Sequence, residues 1–88
     1  MNYKVEYTKS ALKSLKKLDK QTRSVILTWV EKNLIGCSDA RIHGKGLTAN
    51  RSGQWRYRVG DYRILAEIHD EIVTIMIVDI GHRSAIYK

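Results

Sequence analysis

Residues 54–80 carry the clearest pattern of hydrophobic and polar positions in the chain. A first run alternates over residues 54–59, a second begins after Gly60 and Asp61, and a third, Ile72 to Ile80, is almost wholly apolar. Gly-Asp suits a two-residue hairpin because Gly accepts the positive φ that such a turn needs. The pattern predicts a three-stranded antiparallel meander whose third strand is covered on both faces.

Alternation in the first run separates an apolar face from a basic one. Arg56 and Arg58 fall on one face, and the other face carries Trp55, Tyr57 and Val59. Successive side chains of a strand point to opposite faces of the sheet. Arg63 comes two residues after the turn, where the hairpin can bring it near Arg58. We therefore expect the apolar face to pack on the rest of the domain and the arginines to face outward.

The first 36 residues predict a short strand followed by two helices. Residues 3–7 alternate as a strand, and Thr8 or Ser10 can cap the next helix. The apolar positions of that helix are Leu12, Leu15 and Leu18. Asp19 is placed to cap the second helix, which ends before Gly36. The apolar stripe of the second helix comprises Val25, Ile26, Trp29, Val30 and Leu34.

These elements predict one α+β domain that spans residues 1–88. An N-terminal strand and a helical hairpin precede the three-stranded antiparallel meander, which forms one twisted sheet with the helices on one face. The single long loop lies between Cys37 and Gly53 and contains Arg41, His43, Lys45 and Arg51. Long loops in compact domains tend to be functional or mobile, so this loop is a candidate for ligand contact.

The charge of the chain points to an anionic partner. Its formal net charge is +7 and its pI is about 9.8. Residues 41–63 hold six Lys or Arg against one acid, and five of the six are Arg, the side chain that binds phosphate bidentately. The N-terminal lysines fit an ordinary solvated helix face.

Several function classes are not indicated by the sequence. No signal peptide precedes the first strand, and no apolar run reaches the roughly 20 residues of a membrane span. The lone Cys37 cannot form an intramolecular disulfide, which fits a reducing compartment. His43, His69 and His82 lie far apart, without the spacing of a zinc site. We therefore expect a cytoplasmic protein that uses no metal and no cofactor.

The order of elements, with the motif WRYRVGDYRIL and the ending IGHRSAIY, resembles the RelE/ParE superfamily of bacterial toxins, and most closely its RelE branch. The resemblance covers nearly the whole chain. It implies a RelE-like fold and a toxin of a type II toxin-antitoxin system that cleaves mRNA codons in the ribosomal A site. It also implies a small acidic RelB-like antitoxin as partner, besides the ribosome and mRNA.

The resemblance implies a set of site residues. The family's basic strand positions fall on Arg56, Arg58 and Arg63, and its catalytic tail arginine falls on Arg83. The aromatic near the end of the family's tail falls on Tyr87, and His82 matches a histidine of several relatives. The predicted catalytic residues are thus His82, Arg83, Arg63 and Tyr87, and the predicted RNA contacts are Arg56, Arg58, Arg51, Lys45 and His43. Two departures from the best-known members are Arg in place of Lys at both strand positions and a short tail without a following helix.

The chemistry of these side chains divides the roles. A guanidinium stays protonated and is a poor base, so the arginines are expected to bind phosphate and stabilise the transition state. Among these side chains an imidazole titrates closest to neutrality, so His82 is expected to be the general acid or the general base. The sequence does not distinguish between these two roles. Tyr87 is expected to stack on a base or orient the 2′-OH. The alternatives are a His82 that only caps the strand, a ParE-like inhibitor of DNA gyrase that is not an enzyme, and an inactive RNA-binding relic.

Overall fold

A computed structural model describes residues 2–46 and 54–86. Its helices and strands follow the predicted order, with one additional strand. The strands are β1 (Lys4–Tyr7), β2 (Lys45–Gly46), β3 (Trp55–Val59), β4 (Tyr62–His69) and β5 (Thr74–His82). The helices are α1 (Lys9–Lys17) and α2 (Lys20–Asn33), and a 3-10 turn covers Asp70–Ile72. The predicted α+β class is confirmed, whereas the two-residue strand β2 was not predicted from the sequence.

Both helices begin where side-chain caps were predicted. The hydroxyl of Thr8 accepts from the backbone N–H of Ala11 at 3.1 Å, and a carboxylate oxygen of Asp19 accepts from that of Thr22 at 3.1 Å. Each bond satisfies a backbone donor that has no partner inside the helix. The two helices follow each other directly because Leu18 and Asp19 are extended.

The sheet places β5 near its centre. The strand order is β1-β5-β4-β3-β2, in which β1 runs parallel to β5 and the other neighbours are antiparallel. Ile75, Ile77 and Ile80 of β5 are buried in the core, whereas Met76 and Val78 are only partly buried, so the expected cover on both faces is found in part. The strand starts at Thr74 and not at Ile72, as the sequence had suggested, because Ile72 lies in the 3-10 turn and Val73 has a φ of 48°.

The hydrophobic core lies between the helices and one face of the sheet. It includes Ala11 and Leu15 of α1 and Ile26, Val30 and Leu34 at and beyond α2, packed on residues of β3, β4 and β5 such as Tyr57, Ile64 and Ile77. Trp29 is partly buried against this core, as its position in the stripe predicted. Leu12 and Val25 were also assigned to the apolar stripes, but they are 47% and 55% exposed because each helix contacts the sheet along a narrower arc.

No helix in the described part of the chain is long and apolar enough to span a membrane.

Candidate functional site

The β3–β4 hairpin brings the predicted arginines together. Gly60 in its turn has a φ of 58°, as the hairpin prediction required. Arg58 pairs directly with Arg63, and Arg56 pairs with Leu65. Residues directly opposite each other in an antiparallel pair share a face, so all three arginines lie on the face away from the helices. The sequence-based expectation that Arg63 lies near Arg58 is therefore confirmed.

These arginines surround a hollow of about 260 Å³, which we call the basic hollow. Its lining residues are Gly44, Lys45, Arg56, Arg58 and Arg63. The lining thus holds four cationic side chains, and no carboxylate contributes to it within residues 2–46 and 54–86. Four cationic side chains around one hollow repel one another, so an anion bound among them would lower the electrostatic free energy. The hollow is therefore suited to a phosphate group.

Arg63 is held in place by the backbone of the β3–β4 hairpin. Its side chain is buried, with 9% of the residue exposed. One guanidinium nitrogen, Nη1, donates to the carbonyl oxygens of Gly60 and Tyr62, each at 3.0 Å. Donors fixed before an anion arrives need no reorganisation when charge develops on it. Arg63 is thus placed to hold a phosphate oxygen in one orientation.

The loop before β2 delivers Lys45 to the basic hollow by a close backbone approach. Gly44 has a φ of 80°, and a Cβ added there would lie 2.0 Å from the carbonyl oxygen of Arg56. The indole N–H of Trp55 donates to the carbonyl oxygen of His43 at 2.6 Å. Lys45 then pairs with Arg56 across the sheet. Only glycine fits at position 44, and sequence analysis did not single it out although it lies within the HGKG segment.

His43, which the sequence grouped with the RNA contacts, does not line the basic hollow. Its imidazole meets Trp29 of α2 edge to face, with ring centroids 5.8 Å apart, which places the ring on the helix side of the sheet. The stacking on Trp29, together with the bond from Trp55 to the His43 carbonyl, orients the ring away from the arginines. Lys45, two residues later, is the part of this loop that joins the basic hollow.

Arg41, counted in the basic segment of the sequence, is neutralised in the structure. Its guanidinium makes two hydrogen bonds of 3.0 Å to the carboxylate of Asp70, which also accepts from the Tyr3 hydroxyl at 2.6 Å. Hydrogen bonding from Arg41, and then from Tyr3, lowers the pKa of Asp70 below its ordinary value. The bond to Asp70 in turn raises the pKa of Tyr3. Arg41 therefore fastens the start of the loop to the turn between β4 and β5.

The His82 side chain lies on the other face of the sheet from the basic hollow. His82 pairs with Tyr62, and their rings meet edge to face with centroids 5.5 Å apart. Tyr62 lies on the same face as the buried Ile64, which packs against the helices. The expected convergence of His82 with the arginines is thus not found, because the register of β4 and β5 sends its side chain to the helix side at the end of the sheet.

The imidazole of His82 is exposed but fixed. The backbone N–H of Ser84 donates to its Nδ1 at 3.2 Å, and the Ser84 hydroxyl lies 2.8 Å from the same atom. Because a backbone N–H can only donate, Nδ1 carries no proton in this arrangement, and the neutral ring is protonated at Nε2. Tyr62 and Ser84 thus orient His82, and neither was recognised in the sequence.

The tail after His82 turns towards the face that carries the basic hollow. The backbone N–H of Arg83 donates to the Asp61 carbonyl at 2.9 Å. Ile86 is buried, with 7% exposed, and lies over Gly81, where an added Cβ would be 3.4 Å from it. Gly81 pairs with Arg63, so this contact is on the arginine face. Arg83 is exposed in this turn, while Arg51 and Tyr87 lie outside the described residues.

Other chemistry is limited in the described residues. No group of three or more His, Cys, Asp or Glu side chains is arranged to hold a metal ion in residues 2–46 and 54–86. Cys37 is partly buried, and burial raises the pKa of its thiol, which disfavours the reactive thiolate. The basic hollow is thus the feature of these residues that best fits a charged ligand.

Comparison with known proteins identifies the class to which this chain and its fold belong. The family model described as ParE toxin of type II toxin-antitoxin system, parDE, matches residues 5–87. The chain therefore belongs to this toxin family, within the RelE/ParE superfamily, and it is a toxin of the type II toxin-antitoxin class.

Individual relatives agree with this assignment. The chain is 32% identical to Toxin RelG of Mycobacterium tuberculosis (strain ATCC 25618 / H37Rv) over 88 residues, which is 100% of this chain and 99% of the relative. The crystal structure of the toxin-antitoxin complex RelBE2 from M. tuberculosis matches with a TM-score of 0.86 and 28% identity, covering 96% of this chain and 94% of that one. A mutant of the E. coli toxin RelE in the free state shares the fold, with a TM-score of 0.76, 21% identity and coverage of 99% and 90%.

Proposed function

We propose that this toxin is a ribosome-dependent mRNA endoribonuclease that cleaves codons in the A site and thereby inhibits translation. The basic hollow carries the proposal: Lys45, Arg56, Arg58 and Arg63 converge on about 260 Å³ of space without a carboxylate in the described lining. A phosphate of a single RNA strand is an anion that these four converging cations would bind. Ribosomes and mRNA are cytoplasmic, and that is where the toxin would act.

The reaction we propose is attack of the ribose 2′-OH on the adjacent phosphorus. It requires removal of the 2′-OH proton, stabilisation of charge on the phosphoryl oxygens and protonation of the leaving 5′ oxygen. Arg58 and the fixed Arg63 would hold the phosphoryl oxygens, and stabilisation of this kind commonly supplies the largest single contribution to rate. Arg83, which is exposed in the turn after β5, would neutralise charge on the leaving group. Tyr87 would stack on an unpaired base.

We further propose that His82 transfers a proton at the end of the sheet. Its imidazole is exposed, and Tyr62 and Ser84 fix the ring. Because His82 and the basic hollow lie on opposite faces, this role requires the bound RNA to bend round the end of β5, so that the reacting oxygen comes within hydrogen-bond reach of the imidazole. His82→Ala is expected to reduce cleavage by roughly 100-fold. The matched variant is His82→Asn, because an amide oxygen can accept from Ser84 as Nδ1 does but cannot transfer a proton. Equal losses in both variants support proton transfer, whereas recovery of activity in His82→Asn would assign a purely structural role.

The decisive experiment compares two substrates. The toxin is incubated with programmed ribosomes and separately with the same mRNA free in solution, and every cut is mapped to the nucleotide. We expect cleavage inside the A-site codon on ribosomes and little cleavage of free mRNA. Intact mRNA on ribosomes would contradict the proposal. Equal cleavage of both substrates would show that the nuclease does not depend on the ribosome.

We propose an acidic RelB-like antitoxin as the second partner. Two similar structures are described as complexes of this kind, RelBE2 of M. tuberculosis and the RelB-RelE complex of Methanococcus jannaschii. The charge of +7 favours an acidic partner. A hollow of about 280 Å³ between the start of α2 and the β3–β4 turn, beside the exposed Val25, offers apolar surface for one of its segments. Copurification of the toxin with the product of a neighbouring gene tests this, and a toxin that accumulates alone without harm would count against it.

The description of the family model keeps a second candidate open, namely inhibition of DNA gyrase without catalysis, as in the ParE branch. Expression of the toxin separates the two. Nuclease activity on ribosomes arrests translation early with mRNA cut inside codons. Gyrase inhibition causes DNA damage while early translation continues. A protein that binds RNA but does neither would be an inactive relic.

A further inference from the structure

We propose that α1 carries a second cationic surface, which docks the phosphate backbone of ribosomal RNA. This surface, here the lysine stripe, consists of Lys9, Lys13, Lys16 and Lys17, all exposed. At about 100° per residue, the four positions fall within an arc of about 100°. The buried residues of the same helix, Ala11 and Leu15, face the opposite way. The proposal rests on the ribosome dependence proposed above.

No lysine of the stripe forms an ion pair within the described residues, although the carboxylate of Asp79 accepts from Ser14 of the same helix. Residues 8–18 contain no Asp or Glu. The ion pairs found within residues 2–46 and 54–86 join side chains elsewhere in the chain, and none includes a lysine of α1. Like charges three and four positions apart on a helix repel one another. An external polyanion would relieve this repulsion along the whole helix.

The stability of α1 accounts for only part of the lysine stripe. Lys16 and Lys17 in the last turn interact favourably with the helix dipole. Lys9 is the first residue of the helix, where a cation opposes the dipole, and no acid in the first turn compensates for it. A position that is electrostatically unfavourable within the protein is better explained by a ligand outside it.

The composition of the lysine stripe fits RNA better than a protein partner. Protein interfaces are centred on buried apolar and aromatic side chains and are depleted of Lys. The four positions supply only flexible ammonium groups, which bind backbone phosphates irrespective of sequence. The exposed apolar side chain of Val25 and the hollow beside it belong to α2, outside the stripe.

The lysine stripe and the basic hollow face in opposite directions. Ala11 and Leu15 pack in the core with Tyr57, whose neighbours Arg56 and Arg58 point away from that core. One toxin molecule can therefore contact RNA on both sides at once. A ribosome presents its own RNA as well as the mRNA, whereas a short free mRNA offers one strand. Binding through two surfaces raises the effective concentration of the second contact, which gives a physical basis for ribosome dependence.

The test measures binding to vacant ribosomes, which contain no mRNA to cut. The double variant Lys13→Gln/Lys16→Gln is compared with Lys4→Gln/Lys32→Gln, which has the same net charge but alters exposed lysines outside the stripe. We expect the slope of log affinity against log salt to fall by about 1.4 to 1.8 in the stripe variant, since each phosphate contact contributes about 0.7 to 0.9. The control pair should leave the slope nearly unchanged. Gln has a helix propensity close to that of Lys, and Lys13→Arg/Lys16→Arg should retain binding.

The outcomes separate this inference from the proposed nuclease. Equal loss of ribosome affinity in the two double variants would overturn the lysine stripe, because overall charge alone would then explain binding. Unchanged ribosome affinity with weakened antitoxin binding would also overturn it and assign the stripe to the antitoxin. A wild-type toxin that binds vacant ribosomes through the stripe but cuts no mRNA would uphold the docking surface and reject the nuclease.

Discussion

Substitution of Gly44 by Ala tests how the loop reaches the basic hollow. A Cβ at position 44 would lie 2.0 Å from the Arg56 carbonyl oxygen and 2.9 Å from the Trp55 indole nitrogen. The loop would therefore have to retreat from β3 by about 1 Å, since non-bonded carbon and oxygen atoms need roughly 3 Å or more. Such a movement breaks the 2.6 Å bond from Trp55 to the His43 carbonyl and unpairs β2.

Gly60 provides the matched control for Gly44. It also has a positive φ, of 58°, but a Cβ added there meets nothing within 4 Å. Gly60→Ala should therefore cost only the left-handed strain of about 1 to 2 kcal/mol. Gly44→Ala carries the same strain and also loses hydrogen bonds worth about 1 kcal/mol each. We expect the free energy of unfolding to fall by about 1 to 2 kcal/mol more in Gly44→Ala than in Gly60→Ala, as measured by urea denaturation.

The two glycine variants should also differ in RNA binding. Gly44→Ala displaces Lys45, one of the four cations of the basic hollow, and should lower the salt slope of RNA binding by about 0.7. Gly60→Ala should leave that slope unchanged. Equal destabilisation and equal RNA binding in the two variants would refute the reasoning. The close approach of the loop to β3 would then contribute neither to stability nor to the position of Lys45.

Three further predictions address side chains described above. Arg63→Ala should reduce mRNA cleavage on ribosomes by roughly 100-fold or more without loss of ribosome binding, and a variant that cuts normally would exclude Arg63 from the reaction. Tyr57→Phe should lower the free energy of unfolding by about 1 to 3 kcal/mol, since it leaves the buried Ala40 carbonyl, now 2.7 Å from the hydroxyl, without its donor; an unchanged denaturation midpoint would contradict this. Because Arg41 lowers the pKa of Asp70 in the folded state, the ion pair stabilises above the unfolded carboxyl pKa of about 4 and is lost as the pH falls through and below it. Asp70→Asn should therefore lower the Tm more at pH 7 than at pH 2, and equal Tm differences at both would argue against the ion pair.

Local patterns predicted most of the fold because they act over a few residues. The caps at Thr8 and Asp19 depend on a side chain and a backbone N–H three positions later. The basic face of β3 depends on strand alternation alone, and the positive φ of Gly60 depends on the turn itself. Together these local features were enough to predict that Arg58 lies near Arg63.

The positions of other residues depend on register, which the sequence does not display. Leu65 pairs with Asp79 whereas Ala66 pairs with Ile77, so Val78 is an extra residue in β5. This extra residue reverses the face to which the following side chains of β5 point. Ile80 and His82 therefore point to the same face as Ile75 and Ile77, which is the side of the core. The pairing of Lys45 with β3 could not be predicted from the sequence either, because a strand of two residues is too short to form a recognisable pattern.

The parallel pairing of β1 with β5 joins parts of the chain about 70 residues apart, as Lys4 opposite Thr74 shows. Contacts of such long sequence separation form slowly, because a large loop must close before they contribute any stability. A nascent chain that ends before residue 74 lacks β5, which supplies core residues on which the helices pack. Chains that end before β5 are therefore expected to lack toxin activity, whatever the target, and the active toxin forms only after the last strand has been synthesised.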